Sequence, residues 1–337
     1  MRPLLSVVIP CYNEEDSIPV LVSRVCATLE PLTGGDWELL LVDDGSADRT
    51  SHLIREANRQ DPRVRGVVLS RNFGHQPAIF AGLSYTTGEF IAVMDADLQD
   101  PPEVLVECFR LIQKEDYDVV SAVRQRRKGA WPLRMCYWAF YRIMNTMAES
   151  AWTLDSGDFS VVNRKALNIL LRMPEHVRIL RGLRSWIGLK QGVVAYDRPK
   201  RTQGASKYNI VKLAALASNA LISFSNIPLR MASFLGVGMS LLSMALGCLF
   251  LLNRLVPEFT VFGYQIGSNP GTTTIVVLLL FIGSLLFLCL GIIGEYLGVV
   301  VKEVKRRPLA IVEEQYGLKG AQPRSNAILV ARESDEF

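Results

Sequence analysis

The chain has 337 residues, a formal net charge of +4 and 49% apolar residues, which allows one large domain or two. Its six cysteines lie far apart with no C-x-x-C, so they read as free thiols, and its three histidines (His52, His75, His176) give no zinc spacing. The apolar residues are unevenly spread: Met231 to Asn253 and Phe259 to Gly294 contain no charged residue, whereas the N-terminal part has a soluble composition.

In chain order, Leu4 to Pro10 is a β-rich run that ends in proline, followed by a loop, Cys11 to Asp16, that enters a helix over about 17–29. Trp37 to Val42 reads as a second strand that ends in Asp43-Asp44-Gly45-Ser46, with a helix following to about Arg59. Val64 to Leu69 is a third strand ending in Ser70-Arg71-Asn72-Phe73-Gly74, with a helix over about 76–86. Phe90 to Met94 is a fourth strand and Asp118 to Val123 a fifth, the latter ending in Arg124-Gln125-Arg126-Arg127-Lys128. Strands alternating with helices predict an α/β fold with a mainly parallel, Rossmann-like sheet. Each strand then ends in polar residues at one edge, where open α/β sheets bind ligands. No G-x-G-x-x-G follows the first strand and no G-x-x-x-x-G-K-[ST] occurs, which argues against a dinucleotide oxidoreductase and a P-loop NTPase.

The fourth strand ends at Asp95, Asp97 follows, and Pro101-Pro102 opens the next segment. Two carboxylates this close repel unless a cation lies between them. Hard divalent cations take carboxylate oxygens and bridge to substrate phosphates. The alternative is an acidic turn at the start of a helix.

Three strings carry a resemblance: Val8-Ile9-Pro10-Cys11-Tyr12-Asn13-Glu14-Glu15, Val42-Asp43-Asp44-Gly45-Ser46 and Asp95-Ala96-Asp97-Leu98-Gln99-Asp100-Pro101-Pro102-Glu103. They resemble family 2 glycosyltransferases of the GT-A fold. The longer D-A-D-L-Q-D-P-P-E string is similar to the branch that transfers a sugar to a polyprenyl phosphate, which includes bactoprenol glucosyltransferases and dolichyl-phosphate mannose synthase. The likeness continues through Ser156-Gly157-Asp158-Phe159, Arg201 to Tyr208, Pro228-Leu229-Arg230 and Gly294 to Gly298, to about Gly317.

The resemblance implies a nucleotide-diphosphate sugar donor. Its nucleotide would lie near Pro10, Tyr12, Glu14, Asp43 and Asp95, and Mg2+ or Mn2+ would be held by Asp97 with Asp95 and Gln99 in support. Asp44 is open to a second role, as a cap of the next helix. A phosphate monoester acceptor has a second pKa of about 6 and is already nucleophilic, so no general base is strictly required. Asp158 is the available catalytic carboxylate, or else a turn residue or orienting acceptor. Cations for the acceptor phosphate are Arg124, Arg127, Arg134, Arg201 and Lys207. The cluster from Arg124 to Lys128 alternatively reads as a solvated loop or a contact for an anionic membrane surface.

Trp131 to Met147 is aromatic and basic, and reads as an interfacial helix or a helix packed on the sheet; Asn209 to Phe224 is a second such segment. Met231 to Leu252 and Thr272 to Ile293 are each 22 residues without charge, enough to span a bilayer. With Arg230 before them and Lys302, Lys305, Arg306 and Arg307 after, the positive-inside rule puts both ends in the cytoplasm. The N-terminus carries no signal peptide. The expected layout is a catalytic domain with interfacial helices over 1–228, a two-helix hairpin over 229–300, and a cytoplasmic C-terminal tail over 301–337, polar and disordered from Leu318.

The sequence therefore predicts an enzyme of a bacterial inner membrane that inverts the anomeric centre as it moves a hexose, glucose from UDP-glucose first, to undecaprenyl phosphate. Alternatives are the same chemistry with mannose or an amino or formamido sugar, a processive polysaccharide synthase, and a catalytically inactive membrane scaffold. Gly182-Leu183-Arg184-Ser185-Trp186 does not fit the Q-x-x-R-W of processive synthases. The expected partners are the donor, the lipid phosphate and the bilayer, with no nucleic acid; the resemblance also suggests a homo-tetramer.

Overall fold

The structure is a computed structural model that describes residues 3–124, 156–175, 178–197, 272–318 and 320–331, with isolated positions between 234 and 265. The chain divides into a unit of residues 1–207 with 306–337 and a second unit of residues 208–305.

The first unit is built on one nine-stranded sheet. Its first five strands are β1 (Leu5–Cys11), β2 (Trp37–Asp43), β3 (Val64–Leu69), β4 (Phe90–Val93) and β5 (Val119–Arg124). They are joined by α1 (Ile18–Thr33), α2 (Thr50–Gln60), α3 (His75–Tyr85) and α4 (Pro102–Lys114). Then come β6 (Ser156–Asn163), α5 (Arg164–Arg172), α6 (Leu180–Trp186) and β7 (Gln191–Tyr196). After a two-stranded ribbon of β8 (Thr260–Val261) and β9 (Tyr264–Gln265) and the helix α7 (Thr272–Lys305) in the second unit, β10 (Ala310–Tyr316) and β11 (Ile328–Val330) complete the sheet. The order is β11-β10-β3-β2-β1-β4-β6-β5-β7.

β1 pairs in parallel with β2 and β4, β2 with β3, and β5 with β7. The strand residues read as continuous apolar runs because both faces are covered. Leu5, Val7 and Ile9 of β1 pack on one side with α1, α2 and α4, while Val8 packs on the other with α3, α5 and α6. Proline in the first turn of α1 and of α4, and Asn163 accepting from the Ala166 N–H at the start of α5, fix where helices begin. Gly82 lets α3 lie flat on the sheet: a Cβ there would sit 2.4 Å from a Val8 methyl and 2.7 Å from one of Val42.

The mainly parallel α/β sheet agrees with the expectation. Two features of the first unit do not. Gly157-Asp158-Phe159, expected as a turn, lies within β6, a strand that runs antiparallel to both β4 and β5. The segment after Arg306, expected to be a cytoplasmic tail, returns to the sheet. β10 pairs antiparallel with β3 and parallel with β11, and Leu309, Val312, Leu318 and Ile328 are buried. The physical reason is that β3 would otherwise be an open edge of the sheet.

In the second unit, α7 is 34 residues long, and its stretch Phe281–Lys305 is long and apolar enough to cross a membrane. Phe281, Phe287, Leu290 and Leu297 project from it without cover. This is the one such helix among the described residues. The expected first span, Met231 to Leu252, lies outside them except for isolated helical positions, and so do the segments Trp131 to Met147 and Asn209 to Phe224.

Candidate active site

The carboxyl ends of β1, β2, β3 and β4 lie at one edge, and their loops are tied to one another. Asn13, in a left-handed conformation with φ 53°, donates its backbone N–H to Ser46 Oγ (2.9 Å) and accepts from the Ala47 N–H through Oδ1 (2.9 Å). The Glu14 N–H donates to Thr50 Oγ1 (3.0 Å), and Glu14 Oε2 accepts from the Ser17 hydroxyl. Asp43 is buried and accepts from the Ser46 N–H. Asp44 does not cap the next helix. It accepts from the Phe73 N–H (2.8 Å) and the Gly74 N–H (2.9 Å), so it straps the β3–α3 loop to the end of β2. Gly45 is required beneath that loop: its φ is +67°, and a Cβ would meet the Arg71 backbone at 2.4 Å. Burial raises the pKa of both Asp43 and Asp44, against the hydrogen bonds that lower it.

Asp97 is held by a short turn in which its Oδ1 accepts from the Gln99 N–H (3.1 Å) and Leu98 takes φ 54°. The β4–β6 ladder ends at the Val93–Ser160 pair; Asp95 lies two residues past Val93 and Asp158 two residues before Ser160, so both carboxylates lie near that end of the ladder. His75, the first residue of α3, lies between them. Its Nε2 is 3.4 Å from Asp158 Oδ2 and 3.5 Å from Asp95 Oδ1. Gln76 Nε2 donates to Asp158 Oδ2 (2.7 Å), and Gln76 Oε1 accepts from the Leu180 N–H (2.8 Å). Beneath, the fully buried Arg184 donates to the backbone carbonyls of Asp158 (3.1 Å) and Gly157 (2.7 Å).

The electrostatics separate the two carboxylates. Burial is the main cause that pushes Asp95 up to about 6, and the neighbouring charges of Asp100, Asp158 and Asp97 add to it against His75. Burial also acts on Asp158, but the hydrogen bond and charge of His75 and the charges of Arg184 and Arg181 outweigh it and hold the group below its ordinary value. For His75 burial favours the neutral ring, yet Asp158, Asp95 and Asp44 together raise its pKa. Burial lowers Arg184 to about 10. One oxygen each of Asp95 and Asp158 is shielded from solvent with no hydrogen-bond partner.

The matched family description is "Glycosyl transferase family 2", over residues 6–170. The chain is 41% identical over 315 residues to the uncharacterized glycosyltransferase YkcC of Bacillus subtilis, covering 93% of this chain and 94% of that protein. It is 38% identical to the uncharacterized glycosyltransferase sll0501 of Synechocystis, covering 94% and 96%. A bactoprenol glucosyl transferase of Shigella phage SfX is 33% identical, covering 92% of this chain and 99% of that protein. The chain belongs to glycosyl transferase family 2. It is an enzyme, a glycosyltransferase.

In this family 2 glycosyltransferase the predicted nucleotide residues gather at the ends of neighbouring strands. Pro10 is in β1 and Asp43 ends β2, Glu14 braces the loop, Tyr12 is half exposed, and Asp95 follows β4 next to β1. Of the metal candidates, Asp95 and Asp97 share the turn, while Gln99 is buried and meets Asp97 through its backbone N–H. Of the acceptor candidates, Arg124 ends β5 beside Tyr196 of β7; Arg127, Arg134, Arg201 and Lys207 lie outside the described residues. Sequence reasoning missed His75, Gln76, Arg181 and Arg184. His75 directly follows Ser70 to Gly74, the loop that ends the third strand, so the signal lay one residue beyond that polar strand end.

Proposed function

We propose that this glycosyltransferase moves a hexose from a nucleotide-diphosphate sugar to a polyprenyl phosphate, in one inverting step. The observation that carries the reading is the pair of carboxylates, Asp95 and Asp158, joined by His75 at the strand edge where the loops after β1 and β2 are tied together. The phage bactoprenol glucosyl transferase, aligned over nearly the whole of both chains, supports the lipid acceptor and makes glucose from UDP-glucose the first donor to test.

The donor's nucleotide would rest on Pro10, Tyr12, Glu14 and Asp43. Asp97 and Asp95, with Gln99 in support, would hold Mg2+ or Mn2+. Their chemistry fits a hard cation: Asp95 presents a shielded oxygen without a hydrogen-bond donor, amid the charges of Asp97, Asp100 and Asp158. Among the described residues no three His, Cys, Asp or Glu side chains close around a common point, so the diphosphate would supply part of the ligand set. The metal, when bound, offsets the charge that develops on the leaving diphosphate.

The acceptor phosphate is mostly dianionic at neutral pH and attacks directly. Asp158, kept ionised by His75, accepts a hydrogen bond or the one proton a monoanionic phosphate still carries. Arg124, Arg127, Arg134, Arg201 and Lys207 remain the proposed phosphate cations. A two-span hairpin over 231–252 and 272–293, with both ends in the cytoplasm of a bacterial inner membrane, is the proposed anchor, and a homo-tetramer is the proposed assembly.

The test is a panel of labelled UDP- and GDP-sugars supplied with undecaprenyl phosphate to the detergent-purified chain. A single sugar on the lipid with one donor supports the reading and names the donor. Label in a polymer, or no turnover and no nucleotide binding, favours a processive synthase or an inactive scaffold respectively.

A further inference from the structure

α6 is clamped onto Asp158 at two points. At its start, the Leu180 N–H donates to Gln76 Oε1, whose amide also donates to Asp158 Oδ2. One turn on, Arg184 donates to the Asp158 and Gly157 carbonyls. Arg181 lies three residues before Arg184, so the two share a helix face, with Arg181 one turn nearer the Gln76–Asp158 contact. Arg184 spends its guanidinium on backbone carbonyls. Both Nε atoms, that of Arg184 and that of Arg181, are shielded from solvent without a hydrogen-bond partner, but Arg181, whose charge acts on Asp158, shows no such carbonyl contacts among the described residues. A partly buried guanidinium of this kind is completed by an anion, and phosphate matches its planar fork with two parallel hydrogen bonds.

We propose that Arg181 binds the acceptor phosphate, holding it beside Asp158 and across His75 from the Asp95 side of the site. The assignment rests on the function proposed above and extends it to a residue outside the basic positions the sequence suggests. Asp158 pairs with His75 and Gln76 and not with Arg181, which fits the role, because a direct Asp158–Arg181 ion pair would have to break before phosphate could enter. His75 is the ion-pair partner of Asp158, while Arg181 acts on Asp158 only through its charge.

The test is steady-state transfer from UDP-glucose, or the donor that the panel names, to undecaprenyl phosphate in detergent micelles. Arg181→Ala is expected to raise the acceptor KM about tenfold or more, as loss of a charge-assisted contact does, with the donor KM unchanged. Arg181→Lys, which keeps the charge but loses the fork, should recover part of that loss. Calorimetric binding of UDP should be the same in all three proteins, which also verifies that the variants fold. If Arg181→Ala does not fold, the Lys variant and Arg181→Gln carry the comparison. An unchanged acceptor KM, or a rise in the donor KM instead, overturns the assignment. A wild-type enzyme that glycosylates no polyprenyl phosphate overturns the function itself, which separates the two failures.

Discussion

Asp95, two residues past the end of β4, and Asp158 of β6 share a single imidazole: that of His75 stands 3.5 Å from one and 3.4 Å from the other. The arrangement joins three separate parts of the chain at one point and keeps two like charges together in the free protein. The two carboxylates also differ in their proton affinity, since burial raises Asp95 while His75 holds Asp158 below its ordinary value.

Asp158→Asn should cut kcat by roughly a hundredfold or more, the range of a lost acid–base or orienting contact. It should also melt somewhat earlier than the wild type at pH 7, because the favourable charges of His75, Arg184 and Arg181 on the carboxylate are lost even though an Asn oxygen can still accept from Gln76. Initial rates and a thermal melt on the same preparation check both statements.

Asp44 touches no reacting group in this account, yet Asp44→Ala should impair both folding and transfer. It leaves the Phe73 and Gly74 N–H groups without their acceptor, at about 1–3 kcal/mol for each buried donor left unsatisfied, and it frees the loop that carries His75. Chemical denaturation should show the loss, with a fall in kcat in the fraction that remains folded.

At the opposite end of the strands, buried Glu38 accepts from Ser6 Oγ, the Thr87 N–H and hydroxyl, and Arg65. Glu38→Ala should cost about 3–5 kcal/mol, as breaking a buried charged network does, while transfer per folded molecule is unchanged. Equal losses of stability and of turnover per folded molecule would contradict this division between the two ends of the sheet.

Asp118 provides the pH dependence. It accepts from Asn163, Lys165 and the Lys190 N–H, and although burial opposes them these contacts hold its pKa below the ordinary value. A depressed folded-state pKa gives stability that is present above the unfolded value, near 4, and is lost as pH falls through the folded one. Asp118→Asn should therefore melt earlier than the wild type at pH 7, with the gap closing below about pH 4.

Deleting 307–337 should cost the first unit its fold, because β10 covers the edge of β3 and Tyr316 packs on Gly66 and Ile54. Tyr316→Ala alone should cost about 3 kcal/mol. Size-exclusion chromatography and circular dichroism would read both; a disordered tail would be removed without effect.

The parallel half of the fold was legible because strands buried on both faces are continuous apolar runs, each closed by a polar turn. The Asp95–Asp97 turn was legible for the same reason: charge at the end of an apolar run stands out. The start of β6 reads as a turn because Gly157-Asp158 interrupts an apolar pattern that starts only at Phe159. β10 carried a signal, Ala310-Ile311-Val312 after Pro308, but its charged partner residues Glu313 and Glu314 made the segment look like a tail. His75, Gln76 and Arg181 have no periodic signature at all. They become site residues only through the β6 register and the placement of α6, which are long-range facts.

The central claim is metal-dependent transfer of one sugar to a lipid phosphate at the Asp95–Asp97 and Asp158 site. The most direct measurement supplies the purified chain with radiolabelled UDP-glucose and undecaprenyl phosphate, with and without a chelator, and counts label in the extracted lipid. The account predicts one sugar per lipid, lost with the chelator, restored by excess Mg2+ or Mn2+ and absent in Asp97→Ala. Lipid labelling that is indifferent to chelation and survives Asp97→Ala would contradict it.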